Sequence, residues 1–105
     1  MHLVIIYCRV KSNCRLAFLR RSATLSETAR GEPGNLAFGY FEDTVKPGRF
    51  TFVEEWKSRE DVDRHLGQPH TQEFFGAALD MLFEPPSMRI IEAGRVDPLE
   101  LRVSQ

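Results

Sequence analysis

The stretch from Phe50 to His70 constrains the fold more than any other part of the chain. Phe50, Phe52, Glu54 and Trp56 alternate with Thr51, Val53 and Glu55, the period-two pattern of a strand with two distinct faces. Ser58 and Asp61 then stand in the form of a capping box, with Asp in place of the usual Glu, and open a short helix running to about Gly67. Pro69 suits the first turn of a second helix, predicted to reach about Phe83 before Pro85 and Pro86 stop it. A carboxylate, an indole and two imidazoles (Glu54, Trp56, His65, His70) are thus carried on elements that must pack on one another. Nowhere else in the sequence do polar chemistry and apolar burial converge.

The remaining elements fall around this pair. Residues 2–10 are rich in Val, Ile and Tyr and read as a buried strand. A helix capped at Ser12 or Asn13 follows, with Leu16, Leu19, Ala23 and Leu25 or Ser26 on its inner face, and it ends before Gly31. Glu32, Pro33, Gly34 and Asn35 form a turn. Residues 35–43 alternate, with Leu36, Phe38, Tyr40 and Glu42 on one side, and join the 49–57 strand through Lys46-Pro47-Gly48. The inner face of the helix after Pro69 is expected to be Phe74 or Phe75, Ala78, Leu79 and Leu82, and residues 88–94 read as a fourth strand. Residues 1–95 then make one domain, and 96–105 a tail whose alternation at Leu99, Leu101 and Val103 leaves two readings, a short extra strand or a disordered end.

The order β-α-β-β-α-α-β defines an α+β class: a ferredoxin-like split β-α-β sandwich, its four-stranded antiparallel sheet carrying helices on one face. The other face is left bare, and a wide apolar patch calls for a partner. A twofold homodimer closing face to face is the economical arrangement.

Composition removes several classes. The formal net charge is −1 with no basic stripe, which argues against nucleic acid; Arg20-Arg21 reads as a solvated helix face. No apolar run is long enough for a membrane span, and the first residues lack the pattern of a secretory signal, so the cytoplasm is the expected location. Cys8 and Cys14 form neither a disulfide framework nor a CxxC pair and are expected as free thiols. No GxGxxG, Walker, GxSxG or HExxH pattern occurs. Eight phenylalanines in 105 residues suggest a large core or an aromatic-lined cavity.

The residues Glu32-Pro33-Gly34-Asn35, Phe52 to Trp56, His65, and Pro69-His70 followed by Phe74 resemble the antibiotic biosynthesis monooxygenase family, of the dimeric α+β barrel superfamily, over about residues 2–94. The resemblance implies a homodimer with one pocket per subunit between helices and sheet. Several members of that family oxidise phenols, hydroquinones or anthrones with O2 and no cofactor; others degrade haem or act on a signalling sugar derivative.

Cofactor-free oxygenation begins with removal of a proton from a phenol or an activated C–H bond, and imidazole is the natural base near neutral pH. His65 and His70 are the candidates for base and orienting group. Glu54 is placed to hold a histidine tautomer or a substrate hydroxyl, and Tyr40 to donate to a developing oxyanion. Phe38, Phe52, Trp56, Phe74 and Phe75 are the candidate walls for a flat aromatic substrate, which a dry pocket shields from reprotonation. Each residue also has a plain structural use: His65 as a helix C-terminal cap, His70 as a turn contact, Glu54 in a buried hydrogen bond, and the aromatics as core. The two histidines lack the spacing of a metal motif and no third ligand is evident, so no metal is expected. The alternatives to the oxygenase are a dimeric module that binds or senses a small molecule without turnover, and an isomerase or degradation enzyme for a small signalling metabolite.

Overall fold

The alternation in residues 35–56 produces a hairpin, and the rest of the chain is built onto its inner face. The computed structural model describes residues 1–104. In chain order the elements are β1 (His2–Arg9), a 3-10 turn (Ser12–Cys14), α1 (Arg15–Arg30), β2 (Asn35–Glu42), β3 (Arg49–Trp56), α2 (Arg59–Leu66), α3 (Pro69–Leu79) and β4 (Ser87–Glu92). The sheet runs β2-β3-β1-β4 with every neighbouring pair antiparallel. This is the expected ferredoxin-like α+β fold.

Register explains the core. Val4 pairs with Glu54 and Ile6 with Phe52, so the even residues of β1 and β3 share one face. Val4, Ile6, Cys8, Phe50, Phe52, Glu54 and Trp56 are all buried there under the helices. Phe18 of α1 and Phe74 of α3 complete an aromatic cluster, with Phe18–Phe50 and Phe52–Phe74 ring centroids 5.0 and 5.8 Å apart. Arg15 clamps the start of α1 to the hairpin by donating to both Glu42 carboxylate oxygens. Cys8 and Cys14 are free thiols, and burial pushes the Cys8 thiol up to about 11. No helix among the described residues is long and apolar enough to cross a membrane.

Four local expectations are corrected. Ser12 and Asn13 make a 3-10 turn rather than a cap, which shifts the phase of α1. Its buried face is Phe18, Ser22, Leu25, Ser26 and Ala29, while Leu16 is exposed. The Ser26 hydroxyl donates to the Ser22 carbonyl, which lets a polar side chain sit in the core. A register shift between Asn35 and Ala37 turns Leu36 out to solvent, away from the face it would share with Phe38. The last helix ends at Leu79, because the chain is drawn back to the sheet. The Lys11 N–H donates to the Met81 carbonyl, the Phe83 N–H donates to the Arg9 carbonyl, and Leu82 bridges Val10. Leu79 is therefore exposed, while Phe74, Ala78 and Leu82 are buried. Beyond Glu92 the described residues form no strand, so the alternation at Leu99, Leu101 and Val103 builds nothing within the chain; Gln105, the last residue of the expected tail, lies outside the described residues.

Candidate active site

Three elements converge at one end of the inner layer. The turn after α1 carries Glu32, the last turn of α2 carries His65, and the first turn of α3 carries His70. The capping box at Ser58 starts α2 at the expected place: the Asp61 N–H donates to Ser58 Oγ at 3.2 Å and the Ser58 hydroxyl donates to Asp61 Oδ2 at 2.8 Å. From that start, His65 falls on the face that packs against β3.

Gly34 locks the turn to α2. It has φ 79°, and a Cβ on it would lie 2.1 Å from the Asp61 carboxylate. The Lys57 N–H donates to the Gly34 carbonyl at 2.9 Å. Glycine is required both by the positive φ and by the close approach. The consequence is that Glu32, two residues earlier, is held over the end of α2.

Glu32 lies between the two imidazoles. Its Oε2 is 2.5 Å from His65 Nδ1 and its Oε1 is 2.6 Å from His70 Nε2. A carboxylate only accepts, so both ring nitrogens carry the proton. The free lone pairs are then His65 Nε2 and His70 Nδ1. His65 is buried, its ring 4.7 Å from Trp56 and 5.8 Å edge-on to Phe38. Burial lowers the His65 pKa; the Glu32 carboxylate opposes this, and His70 adds to it. The lowered pKa favours the neutral ring, and Glu32 then holds its proton on Nδ1.

Behind His65 lies a second acid. Glu54 is 2% exposed and accepts from Trp56 Nε1 at 3.0 Å, and its Oε1 is 3.7 Å from His65 Nε2. Burial pushes its carboxyl up to about 7; the Trp56 hydrogen bond works against this, and the negative charge of Glu32 adds to it. Polar groups thus run from His70 through Glu32 to His65 by hydrogen bonds, and across a 3.7 Å gap to Glu54 and Trp56.

Only one end of this series meets an opening. A cleft of about 240 Å³ between α1 and α3 is lined by Arg20, Arg21, Thr24, Leu25, Thr28, His70, Glu73 and Phe74. The His70 side chain is 32% exposed there, while that of His65 is 3% exposed. A smaller cavity of about 80 Å³ touches Glu32 and His65 beside Asp61, Arg64 and Gln68.

The structure therefore divides the sequence-derived candidates. Glu54, Trp56, His65 and His70 come together as expected. Phe74 lines the cleft. Phe38, Phe52 and Trp56 pack ring on ring inside the core, Phe75 rests against Phe74, and Tyr40 leans on Phe52 at 5.7 Å between centroids. None of these last five lines the cleft beside His70. The residue that sequence reasoning missed is Glu32. Its signal was present in the Glu32-Pro33-Gly34-Asn35 motif, read there as a turn and as a mark of resemblance. Glu32 also supplies the third donor that the two histidines lacked.

A ferredoxin-like domain with a carboxylate held between two histidines over a buried Glu–Trp pair sets the class, and comparison with known proteins sets the family. The profile of the family described as antibiotic biosynthesis monooxygenase matches residues 1–77, and the chain belongs to that family. It is 30% identical over 91 residues to the uncharacterized protein sll1783 of Synechocystis, covering 87% of this chain and 62% of that protein, so it spans less than two thirds of that relative. It is 29% identical over 79 residues to a protein of Bacillus subtilis named "Putative monooxygenase YcnE", covering 75% of this chain and 83% of that one. Among solved structures, a "Putative antibiotic biosynthesis monooxygenase from Nitrosomonas europaea" superimposes with a TM-score of 0.85 at 27% identity, covering 90% of this chain and all (100%) of that one.

Proposed function

We propose that the protein is a homodimeric monooxygenase that oxidises a small quinol, phenol or anthrone-like aromatic with O2 and no cofactor, with His70 as the base. The observation that carries this reading is the place of His70: its Nε2–H is tied to Glu32, and its ring borders a cleft walled by Leu25 and Phe74. Nδ1 has no hydrogen-bond partner among the described residues, which leaves its lone pair for a substrate proton.

In this mechanism His70 Nδ1 takes the proton from the substrate, and Glu32 stabilises the imidazolium that forms. The substrate anion passes one electron to O2, and the radical and superoxide combine at carbon. Collapse of the peroxide leaves one oxygen atom on the ring as a carbonyl and releases the other as water. No external reductant is needed, because the substrate supplies all four electrons that O2 takes up in becoming the carbonyl oxygen and water. His65 acts as a positioning residue, donating from Nδ1 to the second oxygen of Glu32. Leu25 and Phe74 supply the apolar wall that an electron-rich ring needs.

The bare face of the sheet supports the homodimer. Helices cover one face, and the other presents Leu3, Ile5, Tyr7, Phe41, Val53 and Ile91, with Tyr7 45% and Phe41 63% exposed. A second copy is the partner that matches this apolar surface by symmetry.

The test is O2 uptake with a panel of hydroquinones and anthrones, wild type against His70→Ala and Glu32→Gln. Both variants should lose most of the rate. Equal rates in all three proteins would remove the proposed base. Saturable binding of panel members with no O2 uptake by the wild type would favour a module that binds without turnover.

A further inference from the structure

We propose that Glu32, His65 and His70 form a binding site for a divalent first-row transition metal, of the zinc or cobalt kind, with one donor atom from each residue. The donors are a Glu32 carboxylate oxygen, His65 Nδ1 and His70 Nε2, and all three lie within 4.8 Å of one another. Two imidazoles and one carboxylate are the borderline ligand set that such ions favour. Metal bonds of about 2.0–2.2 Å place donor pairs roughly 3–4 Å apart, so a pair at the wide end has to close by about 1–2 Å. His70 sits on the first turn of α3 with its side chain 32% exposed, the least enclosed of the three ligands.

Two further features fit an ion here. First, the nitrogen of His65 that would not bind metal faces Glu54 Oε1 at 3.7 Å. In the present tautomer that nitrogen carries a lone pair toward a buried acid. Metal on Nδ1 moves the ring proton to Nε2, where Glu54 becomes its acceptor. A carboxylate behind a ligating histidine is the usual outer support of such a site, fixing the tautomer and raising ligand basicity. Trp56 Nε1 already holds that carboxylate in place. Second, the cavity of about 80 Å³ beside Glu32 and His65 adjoins the donors on one side, and the larger cleft meets His70 on the other. A water needs only about 10–15 Å³ measured this way, so there is room for solvent to fill the remaining coordination positions.

The inference stands apart from the oxygenase reading, because the ion takes His70 Nε2 whereas the substrate proton goes to Nδ1, and the test involves no turnover. The full chain, stripped with a chelator and dialysed, is titrated with Zn²⁺ by calorimetry and with Co²⁺ by visible absorption. One ion per chain and a ligand-field band of low-symmetry Co²⁺ are expected. Glu32→Gln and His70→Ala should each weaken Zn²⁺ binding by about 100-fold or more, and Glu54→Gln by about 10–100-fold, the effect of losing an outer-shell partner. His2→Ala, which removes the one other histidine, should leave binding unchanged. His65→Ala removes a core ring, so the exposed His70 and the turn residue Glu32 carry the test if that variant does not fold. Zn²⁺ binding that is absent, or equal in wild type and His70→Ala, or lost only in His2→Ala, overturns the site.

Discussion

The two faces of the sheet are made by the same strands, yet they do opposite work. On the covered face the period-two pattern delivers Phe50, Phe52, Glu54 and Trp56 into contact with three helices, and almost everything there is fixed by packing. On the bare face Leu3, Ile5, Tyr7, Phe41 and Ile91 have no helix over them, and Tyr7, Phe41 and Ile91 are exposed. The lesson is that a polar cluster is tolerated only where neighbours enclose it. Glu54 is held by Trp56 and His65 is held by Glu32, whereas the bare face carries apolar surface that only association would remove from water.

The comparison is sharpest at His70, the one group of the cluster with access to the cleft. His70→Ala should lower kcat/KM for an oxidisable aromatic by about 10²–10⁴-fold, the range for loss of a general base. Oxygen-electrode kinetics would show it, and circular dichroism should be unchanged. Next in size is the contrast between two phenylalanines on opposite faces. Phe52→Ala should cost about 3–5 kcal/mol in denaturant unfolding, because its ring is enclosed.

Glu54→Gln comes third and has a defined pH signature. The carboxyl, raised from 4.5 to about 7, binds its proton more tightly in the folded chain than in the unfolded one. Folded stability therefore falls as pH rises from 4.5 to about 7 and is lowest above that window. Glutamine keeps the acceptor for Trp56 and removes the titration. The variant should match wild type near the bottom of the window and exceed it by about 3 kcal/mol above the top. The lowered pKa of His65 gives a slope of the opposite sign, but it is common to both proteins and cancels in the difference. A flat difference across pH would mean that Glu54 is ionised throughout.

The smallest effect on the isolated chain is expected at Phe41. Phe41→Ala should change chain stability by no more than about 0.5 kcal/mol, since the ring is largely exposed. Light scattering should nevertheless show weaker self-association, because a standard interface of about 1,200–2,000 Å² would include that ring. A wild-type monomer at micromolar concentration would break the comparison between the faces.

Much of this arrangement was legible in the chain. The capping box at Ser58, the alternation of β3 and the proline at the start of α3 gave the elements that carry Glu54, Trp56, His65 and His70. The inner face of α1 was not legible, because a 3-10 turn reset the helical phase and two serines took core positions, Ser26 by donating its hydroxyl to the Ser22 carbonyl. Glu32 was hidden for a different reason. It stands 33 and 38 residues from its two histidine partners, and a glutamate in a Pro-Gly turn looks like solvent-facing punctuation. The closed state of the aromatics was equally invisible, since a strand face of Phe and Trp reads the same whether it walls a cavity or fills a core.

The hydrogen atom in place of a side chain at Gly34 governs more than a bend. A methyl group there would take a strained positive φ and displace the Asp61 carboxylate from its place beside the turn, loosening the hold of α2 on the segment that carries Glu32. Gly34→Ala would thus act on the cluster by misalignment alone, through a residue with no functional group of its own.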